Sequence, residues 1–300
     1  MVDTLFNVVF LIQTLRISVP YALPAMGAVF SERGGVVNIA LEGILLIGAF
    51  AATVATYYTG SPLFGIVCGT ASGVLAALLH GLVSITFKAD QIVSGIAINL
   101  LAVGITKFAC QIIFNSSSNS ARIVGFEAWD PGLTMPVLRS PFVPITIILM
   151  VVAQAVLFRT RFGLRLRSVG ERPAAADSLG VHVARLRYAG VLISGGFAGL
   201  AGSWLAMDQH SFTDGMSAGR GFIALAAMII GKWNPAGAAG AALLFGFAES
   251  LSIHLQTDPR FIQIIQVIPY VVTMVVLAGF IGRSTPPAAD GIPYEKESSS

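Results

Sequence analysis

Five polar side chains stand inside otherwise apolar runs: Asn38, Glu42, Asn99, Gln111 and Glu249. Carboxylates and amides offer hydrogen bonds to hydroxyls and ring nitrogens without requiring a charged guest. In hydrocarbon each is costly unless it faces another helix or a hydrated path. The set therefore suits transient contact with an uncharged polar solute, and suits equally well a network of helix-to-helix ties. Asn38 and Glu42 are expected one helical turn apart on one face of the second span, which would fasten its start to its neighbours. Lys107, Gln154 and His254 belong to the same class, and the Lys107 ammonium must find a partner or reach toward the surface.

Covalent chemistry is not indicated. The chain has no HExxH, CxxC or GxSxG, and Gly231-Lys232 lacks both the upstream glycine of a phosphate loop and the Ser or Thr that would hold magnesium, since Trp233 follows. His80, His210 and His254 have no catalytic partner at a telling spacing, and Cys68 and Cys110 read as inert thiols in apolar runs. The chain is expected to be no enzyme and to hold no metal or cofactor itself.

The elements that must position these side chains are transmembrane helices. Of 300 residues, 55% are hydrophobic and 11% charged, with a mean hydropathy of +0.80, too little charge to cover a water-facing exterior. Crossings are expected at 5–30, 36–57, 63–87, 92–114, 142–158, 188–207, 222–230 with its flanks, 236–254 and 265–281. This is an all-α polytopic bundle of about eight to ten spans, the first broken or kinked by Pro20 and Pro24. Lys and Arg near the span ends divide 12 against 4, which places 159–187 and the C-terminus in the cytoplasm, with Arg220 counted on the outer side. Residues 1–283 then form one transmembrane domain, and 284–300 a disordered cytoplasmic tail. Gly65, Gly69 and Gly73, and Gly195 with Gly199, form stripes that let helix backbones approach. Trp129 with Asp130, and Asp208 to His210, stand at outer ends, as membrane anchors or as contacts for an outside protein.

The stretch 159–187 is too polar for lipid. Within it Pro173 opens and Gly180 closes a short helix through Ala174, Ala175, Ala176 and Leu179, with Glu171 at its positive end. A short helix so exposed has little to bury unless another protein covers it; a solvated basic loop that only fixes topology is the plainer alternative.

These residues, with Arg185-Leu186-Arg187-Tyr188 after them, resemble the EAA-type segment by which ABC permeases dock on their ATPase subunits. The run from Glu32 to Gly43, Glu-Arg-Gly-Gly-Val-Val-Asn-Ile-Ala-Leu-Glu-Gly, resembles that of the permease family serving branched-chain amino acids and simple sugars, nearest its nucleoside branch. The resemblance covers nearly the whole chain. It implies the fold of a type II ABC importer permease in a bacterial inner membrane. It also implies a second permease subunit, an ATP-binding cassette subunit carrying ATP and Mg, an extracellular solute-binding protein, and a path for nucleosides or related sugars. On this reading Glu171, Pro173, Ala174, Ala175, Ala176, Leu179 and Gly180 couple to the ATPase, and Asn38, Glu42, Asn99, Gln111 and Glu249 line the path. An ion-coupled secondary transporter using Glu42 or Glu249 is the competing expectation.

Overall fold

The computed structural model describes residues 8–125, 140–256, 265, 267, 271–272, 274–275 and 285–295. Ten α-helices carry the described chain: α1 (Val8–Arg33), α2 (Leu41–Thr59), α3 (Pro62–Gly81), α4 (Gln91–Phe114), α5 (Phe142–Arg159), α6 (Arg161–Glu171), α7 (Pro173–Ser178), α8 (Val183–Gln209), α9 (Arg220–Ile230) and α10 (Pro235–Leu255). A π-helical turn, Leu82–Thr86, extends α3. Among the described residues the sole β pairing is an isolated bridge between Asn119 and Thr213.

Seven of these helices are long and apolar enough to cross a bilayer: α1, α2, α3 with its π turn, α4, α5, α8 and α10. The protein is an integral membrane protein. Burial sorts the spans into an inner and an outer set, since 72% of the apolar stretch of α8 is buried against 22% for α3, α4 and α5. α8 is thus the central post, packed on α1, α2 and α3, while α4 turns Leu100, Val103 and Phe108 outward.

The glycine stripes explain how α8 comes so close to its neighbours. A Cβ on Gly73 would lie 2.5 Å from the Gly195 carbonyl oxygen, and one on Gly48 would lie 2.7 Å from the Gly199 Cα. Backbone meets backbone there, and dispersion between main chains replaces the side-chain packing of a soluble core.

Three expectations need correction. Of the broken or kinked first span, the break is absent: α1 is continuous helix through Pro20 and Pro24, both buried among neighbouring helices. The span expected at 222–230 with flanks is only the 11-residue α9, and 211–219 before it is irregular. At 1.5 Å per residue α9 covers roughly 16 Å, about half the hydrocarbon thickness. The tail is not free over 285–295: Ala289 is buried and its N–H donates to the Gly170 carbonyl at 2.8 Å. Trp129, Asp130 and most of the expected crossing at 265–281 lie outside the described residues.

Candidate functional site

Between α1 and α2 the chain does not continue as helix. Residues 34–40 run as a non-helical stretch from the basic end of the bundle, marked by Arg33 and Lys88, into its interior. The contact with Asn99, eight residues into α4, puts the start of α2 roughly 12 Å deep. Main-chain groups at that depth must be satisfied by protein. Side chains of other helices do so: Val37 N–H donates to Gln91 Oε1 at 2.7 Å, His80 Nε2 lies 3.0 Å from the Val37 carbonyl, and Asn99 Nδ2 donates to the Ile39 carbonyl at 3.0 Å. Asn99 Oδ1 accepts from Gly43 N–H at 2.8 Å, so one amide spans the junction into α2. Gly43 permits this, because a Cβ there would lie 2.8 Å from the Asn99 Cα.

The half-helix α9 begins at the same level. Glu42 accepts from Gly219 N–H at 2.8 Å and from Gly221 N–H at 2.7 Å, so its carboxylate sits on the positive end of α9. Gly219 holds φ +81°, and a Cβ on Gly221 would come within 2.4 Å of the Glu42 nitrogen, so both glycines are required for the carboxylate to dock. The next residue continues the polar seam. Arg220 Nη2 is 2.9 Å from Glu249 Oε1, with one-fifth or less of either side chain exposed. The Tyr21 hydroxyl donates to Glu249 Oε2, and the Arg220 guanidinium stands 5.9 Å from the Tyr21 ring centre. Four elements, α1, α2, α9 and α10, thus meet in one buried polar cluster.

At one rim of the bundle Lys107 Nζ pairs with Asp214 Oδ2 at 3.2 Å and Arg16 Nη2 with Asp208 Oδ1 at 2.6 Å. Main-chain bonds from Ser120 to Phe212, Ile123 to His210 and Asp214 to Ser118 sew the segment after α4 to the one after α8.

At the basic end, Arg33 Nε donates to the Trp233 carbonyl at 2.9 Å and the Trp233 indole donates to Glu32 Oε2 at 2.6 Å. Gly231-Lys232 is therefore part of a tight turn clamped to α1, with Lys232 and Trp233 in left-handed conformations. α6 and α7 lie beyond. Pro173 occupies the first turn of α7, and the helix ends in a Schellman arrangement in which Gly180 N–H donates to the Asp177 carbonyl and Val181 N–H to that of Ala176. Ala174, Ala175, Leu179 and Gly180 are exposed, Leu179 by 83%.

The family model for the branched-chain amino acid transport system / permease component matches residues 10–278. The chain belongs to that family. The permease is 44% identical to the guanosine ABC transporter permease protein NupQ of Bacillus subtilis (strain 168), over 94% of this chain and 95% of that one. It is 41% identical to the nucleoside ABC transporter permease protein NupC of Lactococcus lactis subsp. cremoris (strain MG1363), over 93% and 94%. A second B. subtilis protein, the guanosine ABC transporter permease protein NupP, is 27% identical over 78% of this chain and 71% of its own.

The expected path residues separate in the permease. Glu42 and Glu249 join the cluster, through α9. Asn99 holds the start of α2 beside it. Asn38 is fully buried and its Nδ2 donates to Ser194 Oγ at 3.0 Å; it lies before α2, so it shares no helical face with Glu42. Gln111 is exposed on the outer span α4 and takes no part. Of the expected coupling residues, Ala176 is buried against Val169 and Val183, and Glu171 is exposed but engaged, 3.9 Å from Arg33 Nη1 and accepting from Ala288 N–H at 3.3 Å. Tyr21 and Arg220 were missed as site residues. Tyr21 carries no intrinsic signal among apolar neighbours, but Arg220 ahead of a run too short to cross was a usable one.

Two predictions arise here. Gly180 holds φ +79°, so Gly180→Ala forces an L-residue into the left-handed region at about 1–2 kcal/mol and loosens the end of α7. Amide exchange at Val181 should rise about tenfold, with α8 unchanged. The second concerns Asp290, which hydrogen-bonds Glu32 and whose carboxyl burial pushes up to about 7. An acid whose folded pKa lies above its unfolded value favours the folded form below the unfolded pKa, and that advantage is lost as pH rises through the folded one. Docking of 285–295 should therefore weaken from about pH 4 to about pH 7, read as faster proteolysis of the tail, and Asp290→Asn should flatten the profile.

Proposed function

We propose that the permease is the membrane-spanning subunit of an ATP-driven importer of nucleosides. It shares the translocation path with a second, different permease chain, takes solute from an extracellular binding protein, and docks through α6 and α7 on an ATP-binding cassette subunit in the cytoplasm. ATP and Mg act on that partner, and this chain performs no covalent step. The observation that carries the reading is the end-to-end likeness to permease proteins named for guanosine and nucleoside transport. The two distinct guanosine permease proteins of one organism, both similar to this chain, support a pair of unlike subunits.

The polar cluster supports an uncharged solute. The positive end of α9, which would otherwise attract an anion, is already filled by Glu42. Glu249 is committed to Arg220 and Tyr21. Neither carboxylate is left free to shuttle protons, which favours ATP over an ion gradient as the driving force.

The test is uptake of radiolabelled guanosine into proteoliposomes holding both permease chains, the ATPase and the binding protein. Uptake should require ATP inside and binding protein outside. Leu179→Asp alters an exposed position on the docking face, and should abolish uptake and cost co-purification of the ATPase while the bundle stays folded. Uptake driven by a pH gradient without the ATPase would defeat the proposal.

A further inference from the structure

The tail reaches more elements than a cover would need. From 287 to 295 it touches the end of α6, where Ala289 N–H donates to the Gly170 carbonyl at 2.8 Å and Ala288 N–H to Glu171 Oε2 at 3.3 Å. It touches the end of α1 through Asp290 and Glu32, and α8 through Arg187 Nη1, which donates to the Ile292 carbonyl at 2.9 Å. Lys88, after the π turn of α3, pairs with Glu295 at 2.8 Å. It also abuts the non-helical stretch: a Cβ on Gly35 would lie 3.0 Å from the Ala289 carbonyl oxygen, and one on Gly291 would lie 3.5 Å from Val37 Cγ2. Tyr294 packs on the small cluster of Val169, Ala176 and Val183 that seats α7.

The sequence is suited to hold this shape. Pro286, Pro287 and Pro293 limit the freedom of the free chain, and Asp290-Gly291 forms a turn in which Asp290 N–H donates to the Pro287 carbonyl at 3.0 Å and Gly291 takes φ +75°. Such a segment loses little entropy on docking and yields little when pulled.

We propose that residues 287–295 are a strap that carries movement of α6 and α7 into residues 34–40, and so into the polar cluster at the start of α2. The mechanical argument is one of seating. α7 is six residues long and buries one side chain, Ala176, so its own hold on the bundle is slight. The strap grips the lever at Gly170 and Glu171 and, two residues later, the start of the non-helical stretch. A displacement of the lever is thereby imposed on the segment that positions Glu42. This inference rests on the importer reading above, because it assigns the strap a part in the same ATP-driven cycle.

The experiment measures ATP hydrolysed per guanosine imported by the complete assembly in proteoliposomes, for the wild type, a chain ending at Thr285, Ala289→Trp and Ala289→Gly. Ala289 is buried, so Ala289→Trp cannot be accommodated there, whereas Ala289→Gly keeps the main-chain bonds. The truncation and the tryptophan variant should hydrolyse ATP while transporting poorly, raising the ratio about fivefold or more, with Ala289→Gly near the wild type. An unchanged ratio in all variants overturns the strap, and so does a proportional fall of hydrolysis and uptake together with loss of the assembled complex, which would make the segment merely structural. If the wild-type assembly itself shows no ATP-driven uptake, the importer reading fails first and takes the strap with it.

Discussion

Replacing Gly73 by Leu should abolish the folded permease. A Cβ at this position already lies 2.5 Å from the Gly195 carbonyl oxygen and 2.6 Å from the Gly199 Cα, both main-chain atoms that cannot rotate aside. Relief requires α3 to back away from α8, which also opens the contacts of Gly69 with Ser203 and Gly48. The cost should be about 3 kcal/mol or more, the upper end of overpacking, because the strain is shared by two rigid backbones. Size-exclusion chromatography in detergent should show aggregate in place of a monodisperse peak. Gly196→Leu, on the facing helix α8, is the control, since its Cβ meets only Val74 Cγ2 at 3.5 Å. A monodisperse Gly73→Leu protein at wild-type yield would contradict the seam.

Removing Arg220 alone should be nearly as damaging. Arg220→Ala leaves Glu249 buried with only the Tyr21 hydroxyl as a described partner, and breaking a buried pair from one side costs about 3–5 kcal/mol. Glu249→Leu takes away the guanidinium's carboxylate but leaves its bond to the Met216 carbonyl at 3.1 Å, so it should cost less. The double variant, Arg220→Leu with Glu249→Leu, removes both charges from the interior and should recover much of the loss. Melting temperatures of the four proteins form a double-mutant cycle, in which strict additivity would mean that the two side chains do not act as a pair. Transport should stay impaired in the double variant, because the polar seam between α1, α9 and α10 is then apolar.

The sequence made the architecture legible because membrane spans announce themselves: long uncharged runs, and small residues every fourth position. It also made the end of α7 legible, since Pro173 and Gly180 are local signals with local consequences. The half-helix α9 was not. Its apolar run looked like the middle of a full crossing, and only Glu42, distant in sequence by nearly two hundred residues, explains why the chain turns at Gly219. Residues 36–40 were misread for a related reason. Their composition is that of a span, and nothing in Val36 or Ile39 reveals that Gln91, His80 and Asn99 will occupy their main-chain groups. The tail misled in the opposite direction, because Pro, Asp and Gly in series describe a free segment and a preformed turn equally well. Which of the two forms is decided by Gly35, whose missing side chain leaves room for Ala289, and by the Gly170 carbonyl that accepts from it.

The way residues 34–40 are fastened has a practical consequence for mapping the permease. Everything that grips this stretch from α3 and α4 grips peptide groups, not side chains. Alanine scanning through Val36, Val37 and Ile39 would leave every one of those anchor points standing, so any loss it reported would come from packing, of the buried Val36 above all. An ester in place of the amide at Val37 would delete its N–H donor, and would expose as indispensable what side-chain replacement cannot see.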